Sequence, residues 1–600
     1  MCGFISIINC HNYKQINDNL NLLKKINYHR GPDNIKILHD KNFSILFRRL
    51  SILDTSANSN QPFKSSDKKK ILVFNGEIYN YLELKEILKK KYKFYTTSDT
   101  EVVMKCYEEW GINFTKKLRG MFSIILFDNT LNKVFLIRDP LGQKPLYYSF
   151  LNKGLIVSSE IKDIIFLFKK SDVPILENQK IVDKYLIRGW ADDSDCSFFK
   201  NIFQVKAGSF MNYNYKSLSN SVSYWNLDIS KKRKFNLKLF KKKLNENIKI
   251  HLRSDVPVAF TLSGGLDSGS IVKISKKFKK KITAFSIINS FSNEKKNIKK
   301  FLEENKINHY FLKTEKFYKK NTLRKLIEYQ DEPIISPSHI DQFLLRKKIK
   351  SKGFKVILVG EGADEILGGY LRQAIIKLTS IENKTDIYKN LKKYFGIDKA
   401  DVENKILKFK KRKKNDHDME DLMTLEFLKK KKLSEHLRHK NTNLYGASNI
   451  FKKSLKEQIL FRDLPHIIRA EDRISMANSI ESRSPFLDQV FIDYVLSHSP
   501  KYYFKNGIPK FMLRKAMTNI LPQEYIDAKK VPRPGNDIKI MKFYSKEFKI
   551  LLKKHKLLSF NKTKILKRFK SDSKKIDFNK SSYFYFRVFN YILWKEIYFS

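Results

Sequence analysis

The second residue of the chain is a cysteine, and that position has chemical consequences. Methionine aminopeptidases remove Met1 when a small residue follows, which would leave Cys2 with a free α-amine. Such an amine has a pKa near ~8 and can take the thiol proton directly or through water. The sulfur is then activated without a histidine. Taken singly, a cysteine is more often an inert, buried residue. Two further strings point to phosphate chemistry. The first, Ser263-Gly264-Gly265-Leu266-Asp267-Ser268, directly follows the apolar run VPVAFTL. Its glycines let backbone N–H groups approach phosphate oxygens, and the helix start beyond them favours an anion. The Walker A pattern is absent. The second, VILVGEGADEILGGY, sets Gly360, Glu361, Gly362, Asp364 and Glu365 just after another apolar run.

These residues need elements to position them. Residues 1 to about 215 read as short strands closed by turns: ILVFNGEIYN, MFSIILFD and KVFLIRDP are dense in β-branched and aromatic residues. Two helical patterns interrupt them, near Tyr81 to Lys91 and Thr100 to Trp110, the second capped by Ser98 or Asp99. Strands with helices packed on them predict a layered α/β sandwich. Asp228 to Leu237 is polar and basic and reads as part of a linker over 216–239. From about 240 the short apolar runs VPVAFTL, KITAFSII and FKVILVG alternate with helical stretches and Gly-rich turns. That order predicts a parallel, doubly wound sheet, whose strand C-termini gather at one edge. SGGLDS and GEGADE would then face one nucleotide. From about Leu371 the chain reads as mostly helical, with very charged helices over 400–440.

The 600 residues exceed one ordinary core, so two or more domains are expected. No apolar stretch reaches the length of a membrane span. The start lacks a basic n-region, so a cytoplasmic protein is expected. Four cysteines, Cys2, Cys10, Cys106 and Cys196, are too sparse for a disulfide framework, and no CxxC pair suggests zinc. His436 and His439 sit in a charged helix without a nearby acidic ligand and read as solvated. The formal net charge is +57. Nucleic acid or anionic lipid is one reading of that excess. The lysines, however, lie in short scattered runs within a composition rich in Lys, Asn and Ile, which favours coding bias over a nucleic-acid or membrane partner.

MCGF, HRGPD (29–33), RRLSILD (48–54), NGEIYN (75–80), SDTE (98–101) and RDPLGQKPLYY (138–148) occur in that order. Together they resemble the glutaminase domain of class II glutamine amidotransferases, over residues 1–215. SGGLDS resembles the pyrophosphate loop of ATP pyrophosphatases, and GEGADE with LGGY resembles the asparagine synthetase domain, over 240–600. The resemblance implies an N-terminal-nucleophile α/β/β/α sandwich followed by an ATP pyrophosphatase domain with a helical C-terminal part. By resemblance, Cys2 is the nucleophile and Asn75 with Gly76 stabilises the oxyanion. Arg49 takes the glutamine carboxylate in a bidentate grip, Asp99 takes the ammonium, and Glu77 joins them in binding glutamine. Thr261, Leu262, Ser263, Gly264, Gly265, Asp267, Ser268, Ile287, Val359 and Gly360 would bind ATP. Asp267 and Asp364 would hold magnesium. Glu361 would take a proton from the attacking ammonia, and Lys510, within NGIPKFMLRKAM (506–517), would stabilise charge on the transferring phosphate. IRAEDRISMANSIESRSPFLD (468–488) resembles the helical segment beside the family's ammonia tunnel.

The implied reaction is glutamine-dependent, ATP-consuming amidation of a carboxylate, with aspartate as the expected acceptor and ATP and Mg2+ as cofactors. A homodimer fits the family. The chain departs from the family pattern after AFSII and around QDEPIISPSHI (330–340), loops expected to shape the acceptor pocket, and carries Gln143 where many relatives have an apolar residue. A uronic acid of a surface polysaccharide is therefore an alternative acceptor. A β-lactam-synthetase-like enzyme with a dead glutaminase is disfavoured by the intact Cys2, Arg49, Asn75 and Asp99. A basic nucleic-acid-binding protein on a relict fold is the alternative of another class.

Overall fold

The computed structural model describes residues 2–9, 13–189, 191–288, 294–378, 385–411, 450–529, 537–555, 557, 560–572 and 579–599. Most of the charged 400–440 stretch, with His436 and His439, and also Cys10, lie outside them.

Among the described residues twelve strands precede residue 224: β1 (Gly3–Ile8), β2 (Asn34–His39), β3 (Phe43–Arg49), β4 (Phe63–Lys64), β5 (Lys70–Ile78), β6 (Gly120–Asp128), β7 (Lys133–Arg138), β8 (Tyr147–Leu151), β9 (Gly154–Ser158), β10 (Phe203–Gln204), β11 (Ser209–Tyr213) and β12 (Val222–Ser223). They form two six-stranded sheets, ordered β10-β8-β9-β1-β3-β2 and β12-β11-β7-β6-β5-β4, with antiparallel pairing throughout.

The period-2 alternation of these strands divides their side chains between two faces. Phe4, Ile8, Ile45 and Phe47 of one sheet meet Ile71, Val73, Ile125 and Phe127 of the other in a shared core. On the opposite faces, Leu72, Phe74, Ile124 and Leu126 pack on the helices Tyr81–Leu88 and Asp99–Trp110. Likewise Ile5, Ile7, Leu46 and Ile156 pack on the helices Tyr13–Leu23 and Ile161–Lys170. The layers are α/β/β/α, as expected. Ser98 is the cap of the Asp99–Trp110 helix, its Oγ accepting from the Thr100 N–H.

The second half is built on five parallel strands, β13 (Val258–Thr261), β14 (Thr283–Ile287), β15 (Asn308–Leu312), β16 (Val356–Leu358) and β17 (Glu481–Arg483), in the order β15-β14-β13-β16-β17. The chain winds outward from β13 in one direction, then returns to β13's other side with β16. The order therefore reverses between β13 and β16, where a doubly wound sheet opens its ligand crevice. Helices dominate after Leu371, ending in Asn579–Tyr598. No helix among the described residues is long and apolar enough to cross a membrane.

The two halves are joined by buried charge. Glu160, Asp331 and Asp472 face Arg30, Lys144, Lys162 and Arg473 at 2.6–3.4 Å. The Asp-Glu-Pro element belongs to this junction. Asp331 accepts from the Ile161 N–H at 2.8 Å, and Glu332 accepts from the Phe198 N–H at 2.9 Å and pairs with Arg469 at 3.0 Å. These two carboxylates are buried against the sandwich and its partner helices. Ionised groups at such depth require partners, and they have them in the junction.

Candidate active sites

Cys2 precedes β1 of one sheet, and Asn75 and Gly76 lie on β5 of the other, so the facing sheets bring them together. The Cys2 nitrogen donates to Asn75 Oδ1 at 2.9 Å, which fixes the amide plane and directs Nδ2 toward Ser123 Oγ at 3.4 Å. Burial pushes the Cys2 thiol above its ordinary pKa, so the sulfur depends on a base at hand. Gly76 is fixed by contact: a Cβ there would stand 2.2 Å from the Met121 carbonyl oxygen.

Cys2, Arg49, Gly76, Glu77, Asp99 and Glu481 line one cleft. Asp99 sits in the first turn of its helix and accepts from the Ile78 N–H at 3.0 Å. Its burial holds the carboxyl up at about 6. Glu77 Oε2 pairs with Arg483 at 3.0 Å, while its buried Oε1 has no hydrogen-bond partner among the described residues. Arg49 is buried, and its terminal nitrogens hold the following loop. Nη1 donates to Ser56 O at 2.7 Å and Asn60 Oδ1 at 2.8 Å, and Nη2 donates to Leu53 O and Asp54 O. A bidentate grip on a carboxylate requires that loop to give up part of the guanidinium.

The second group lies at the reversal point of the parallel sheet. Leu262, Ser263, Gly264 and Gly265 connect β13 to the helix Leu266–Ser275, and Thr261 ends β13. The loop is closed on itself: the Ser263 N–H donates to Ser268 Oγ at 3.0 Å, and Ser268 Oγ donates to the Ser263 carbonyl at 3.1 Å. Gly265 caps the helix without a side-chain bond, leaving its first N–H groups to an anion. Val359 and Gly360 follow β16 directly across the crevice, and Ile287 ends β14. A Cβ on Gly360 would come 3.3 Å from Asp267 Cβ, so the two loops pack closely.

Lys510 joins these loops. Its ammonium is 2.5 Å from Asp267 Oδ2 and 2.6 Å from Asp364 Oδ1. Burial alone would lower its pKa, but the two carboxylates overcome that and raise it. Lys510 caps the helix Phe511–Met517 in the left-handed region, at φ +51°, a conformation a non-glycine residue adopts only under constraint. Gly369 explains the Gly-Gly of LGGY: a Cβ there would meet Asp364 Oδ1 at 1.8 Å and Lys510 Cε at 2.4 Å. Glu361 lies on the same turn, where its carbonyl accepts from Ser484 Oγ. Asp267 Oδ1 is buried without a hydrogen-bond partner among the described residues. With Asp364 beside it, this oxygen-only set fits a hard divalent cation such as magnesium.

Sequence reasoning missed the residues that link the two sites. Arg483 sends its side chain to Glu77 in the Cys2 cleft and to Glu481 at 2.6 Å. Its backbone carbonyl accepts from the Val359 N–H at 3.0 Å, at the head of the GEGADE turn. Burial opposes the charge on Glu481, yet its cationic surroundings, Arg483 and Lys144 among them, bring its pKa down to about 2. The signal available was the pair of charges in an otherwise apolar and small-residue string, IESRSPFL.

Comparison with known proteins agrees with this division. A family model described as a glutamine amidotransferase domain matches residues 1–225, and one described as asparagine synthase matches residues 239–584. Asparagine synthetase [glutamine-hydrolyzing] 1 of Bacillus subtilis is 31% identical over 562 residues, spanning 89% of this chain and 87% of that relative. Asparagine synthetase [glutamine-hydrolyzing] 2 of the same organism is 32% identical over 574 residues, spanning 89% of this chain and 71% of the relative. A Penicillium rubens protein named amidase chyE is 25% identical over 571 residues, spanning 84% of this chain and 82% of the relative.

Proposed function

The chain belongs to the asparagine synthase family, and on that premise we propose that it makes asparagine from aspartate, with glutamine as nitrogen donor and ATP as the activating substrate. Cys2 Sγ attacks the glutamine side-chain amide, and the Cys2 nitrogen, an amine once Met1 is removed, takes the thiol proton. Asn75 Nδ2 and the Gly76 N–H face the developing oxyanion. Asp99 and Glu77 hold the α-ammonium, and Arg49 takes the α-carboxylate in exchange for part of its loop. Ammonia leaves, and water then clears the thioester to give glutamate.

At the crevice, the SGGLDS loop and the helix start beyond it cradle phosphate, while Thr261, Ile287, Val359 and Gly360 border adenine and ribose. The aspartate side-chain oxygen attacks the α-phosphate, and pyrophosphate leaves against Lys510. Asp267 and Asp364 would hold magnesium, which would offset phosphate charge there. Ammonia displaces AMP from the β-aspartyl adenylate, with Glu361 taking its proton. An internal route spares the ammonia protonation in bulk water. The observation that carries this reading is Arg483, whose side chain pairs with Glu77 of the Cys2 cleft while its backbone carbonyl accepts from Val359 at the head of the GEGADE turn.

The test is product analysis with ATP, magnesium, glutamine and a panel of carboxylates headed by aspartate. AMP and asparagine formed together are the expected result. AMP with a different acceptor alone, such as a uronic acid, would keep the chemistry and replace aspartate. ADP in place of AMP would overturn the adenylation step.

A further inference from the structure

Cys2 is held at both ends of its own backbone. Its nitrogen bonds to Asn75 Oδ1 at 2.9 Å, and its carbonyl oxygen accepts from Arg30 Nε at 3.2 Å. Arg30 is fully buried in the HRGPD turn. Its stem lies across the strand that begins beside the nucleophile, where a Cβ on Gly3 would come 2.7 Å from Arg30 Cβ. The glycine after Cys2 thus makes room for this arginine. The far end of Arg30 is fixed from two sides: Nη1 donates to Glu160 Oε1 at 3.1 Å and to Asp472 Oδ2 at 3.0 Å. Glu160 belongs to the sandwich, but Asp472 lies on the helix Leu464–Met476, in the ATP-using half.

Glu160 is shared among His29, Lys162 and Arg473 as well as Arg30, so its hold on any one of them is divided. Among the described residues Asp472 pairs with Arg30 and Lys144 alone, the second at the longer distance of 3.4 Å. We infer that Asp472 is a positioning residue for the Cys2 nucleophile, acting through Arg30, so that the glutamine site is completed by a carboxylate of the other half. The inference rests on the reading of Cys2 as nucleophile given above. Sulfur must approach the amide carbon along a narrow path while its proton partner stays in line, and displacement by a fraction of an ångström is costly. A carboxylate contributed across the junction also ties the geometry of the nucleophile to correct docking of the two halves.

The experiment compares wild type with Asp472→Asn and with Glu332→Gln. The latter weakens the Arg469 pair of the same junction and does not touch Arg30. Three quantities are read: glutamate release, the rate of Cys2 alkylation by iodoacetamide, and AMP formation driven by added ammonium. For Asp472→Asn the expected result is a fall in the kcat of glutamate release of about tenfold or more, with the KM for glutamine within about twofold. Alkylation slows in parallel, and ammonium-driven AMP formation stays within about twofold. Glu332→Gln leaves alkylation at the wild-type rate. Unchanged kcat and alkylation in Asp472→Asn would overturn the inference. So would an equal loss of ammonium-driven synthesis, or the same slowing in Glu332→Gln, since either would mark a loosened junction. Absence of glutamate release in wild type would refute the glutaminase reading by itself, and the alkylation rates would still decide whether Asp472 positions Cys2.

Discussion

The cleft at Cys2 and the crevice at Asp267 solve opposite problems with opposite materials. The first lies between facing antiparallel sheets and is built from side chains. Asn75, Glu77, Asp99 and Arg49 are buried; the first three are held by partners distant in the chain, and Arg49 by the loop that follows it. The second lies at the ends of parallel strands and is built largely from backbone: a self-closed serine-glycine loop, an uncapped helix start and two glycines that let Lys510 and two aspartates converge. Cleaving an amide requires a few donors fixed in a dry place, where each interaction is strong. Handling a triphosphate requires many N–H groups and cations around charge that is already present. The contrast predicts that substitutions will act differently in the two regions.

The largest effect is expected in the crevice. Lys510→Ala removes the cation between Asp267 and Asp364, and AMP formation should fall roughly 10²–10³-fold with either nitrogen source, while glutamate release persists. Quantifying AMP and glutamate on one preparation checks this, and loss of both would erase the distinction between the regions. Arg483→Met strikes the link between them. It leaves the buried Glu481 charge without its guanidinium, and stability should drop by about 3–5 kcal/mol, measured by chemical denaturation. A change below about 1 kcal/mol would mean that Arg483 is not the tie described here.

A smaller and more selective effect is expected at Asp99. In the proposed role of ammonium partner only its ionised form serves, and burial holds its carboxyl up at about 6. The KM for glutamine should therefore be flat above pH 7 and rise as pH falls through about 6, while the KM for ATP stays level. Asp99→Asn should raise the KM for glutamine by about 10–100-fold at neutral pH and remove that pH dependence. A pH profile retained in the variant would assign the titration to another group.

The sequence makes the two regions legible to different degrees. SGGLDS and GEGADE are local strings whose chemistry and position after strands are readable in place. What locates them across one crevice is the strand order, in which β16 returns beside β13, and that order is a tertiary fact. In the sandwich, the alternating strands and the Ser98 cap are readable from period and residue type. The junction is not. Asp331 and Glu332 carry the same chemistry whether they bind a substrate or a neighbouring arginine, and the arginines and lysine that claim them lie in remote segments. Arg483 was hidden for the same reason, since its partner Glu77 sits in the other half.

The central claim is that one chain holds two separable sites, of which the first supplies the second. The most direct test is Cys2→Ala, assayed for asparagine with glutamine and, separately, with ammonium. The account predicts that synthesis from glutamine disappears while synthesis from ammonium remains close to that of the unaltered protein. Loss of both activities in a folded variant would contradict it, and so would glutamine-dependent synthesis that survives without the thiol.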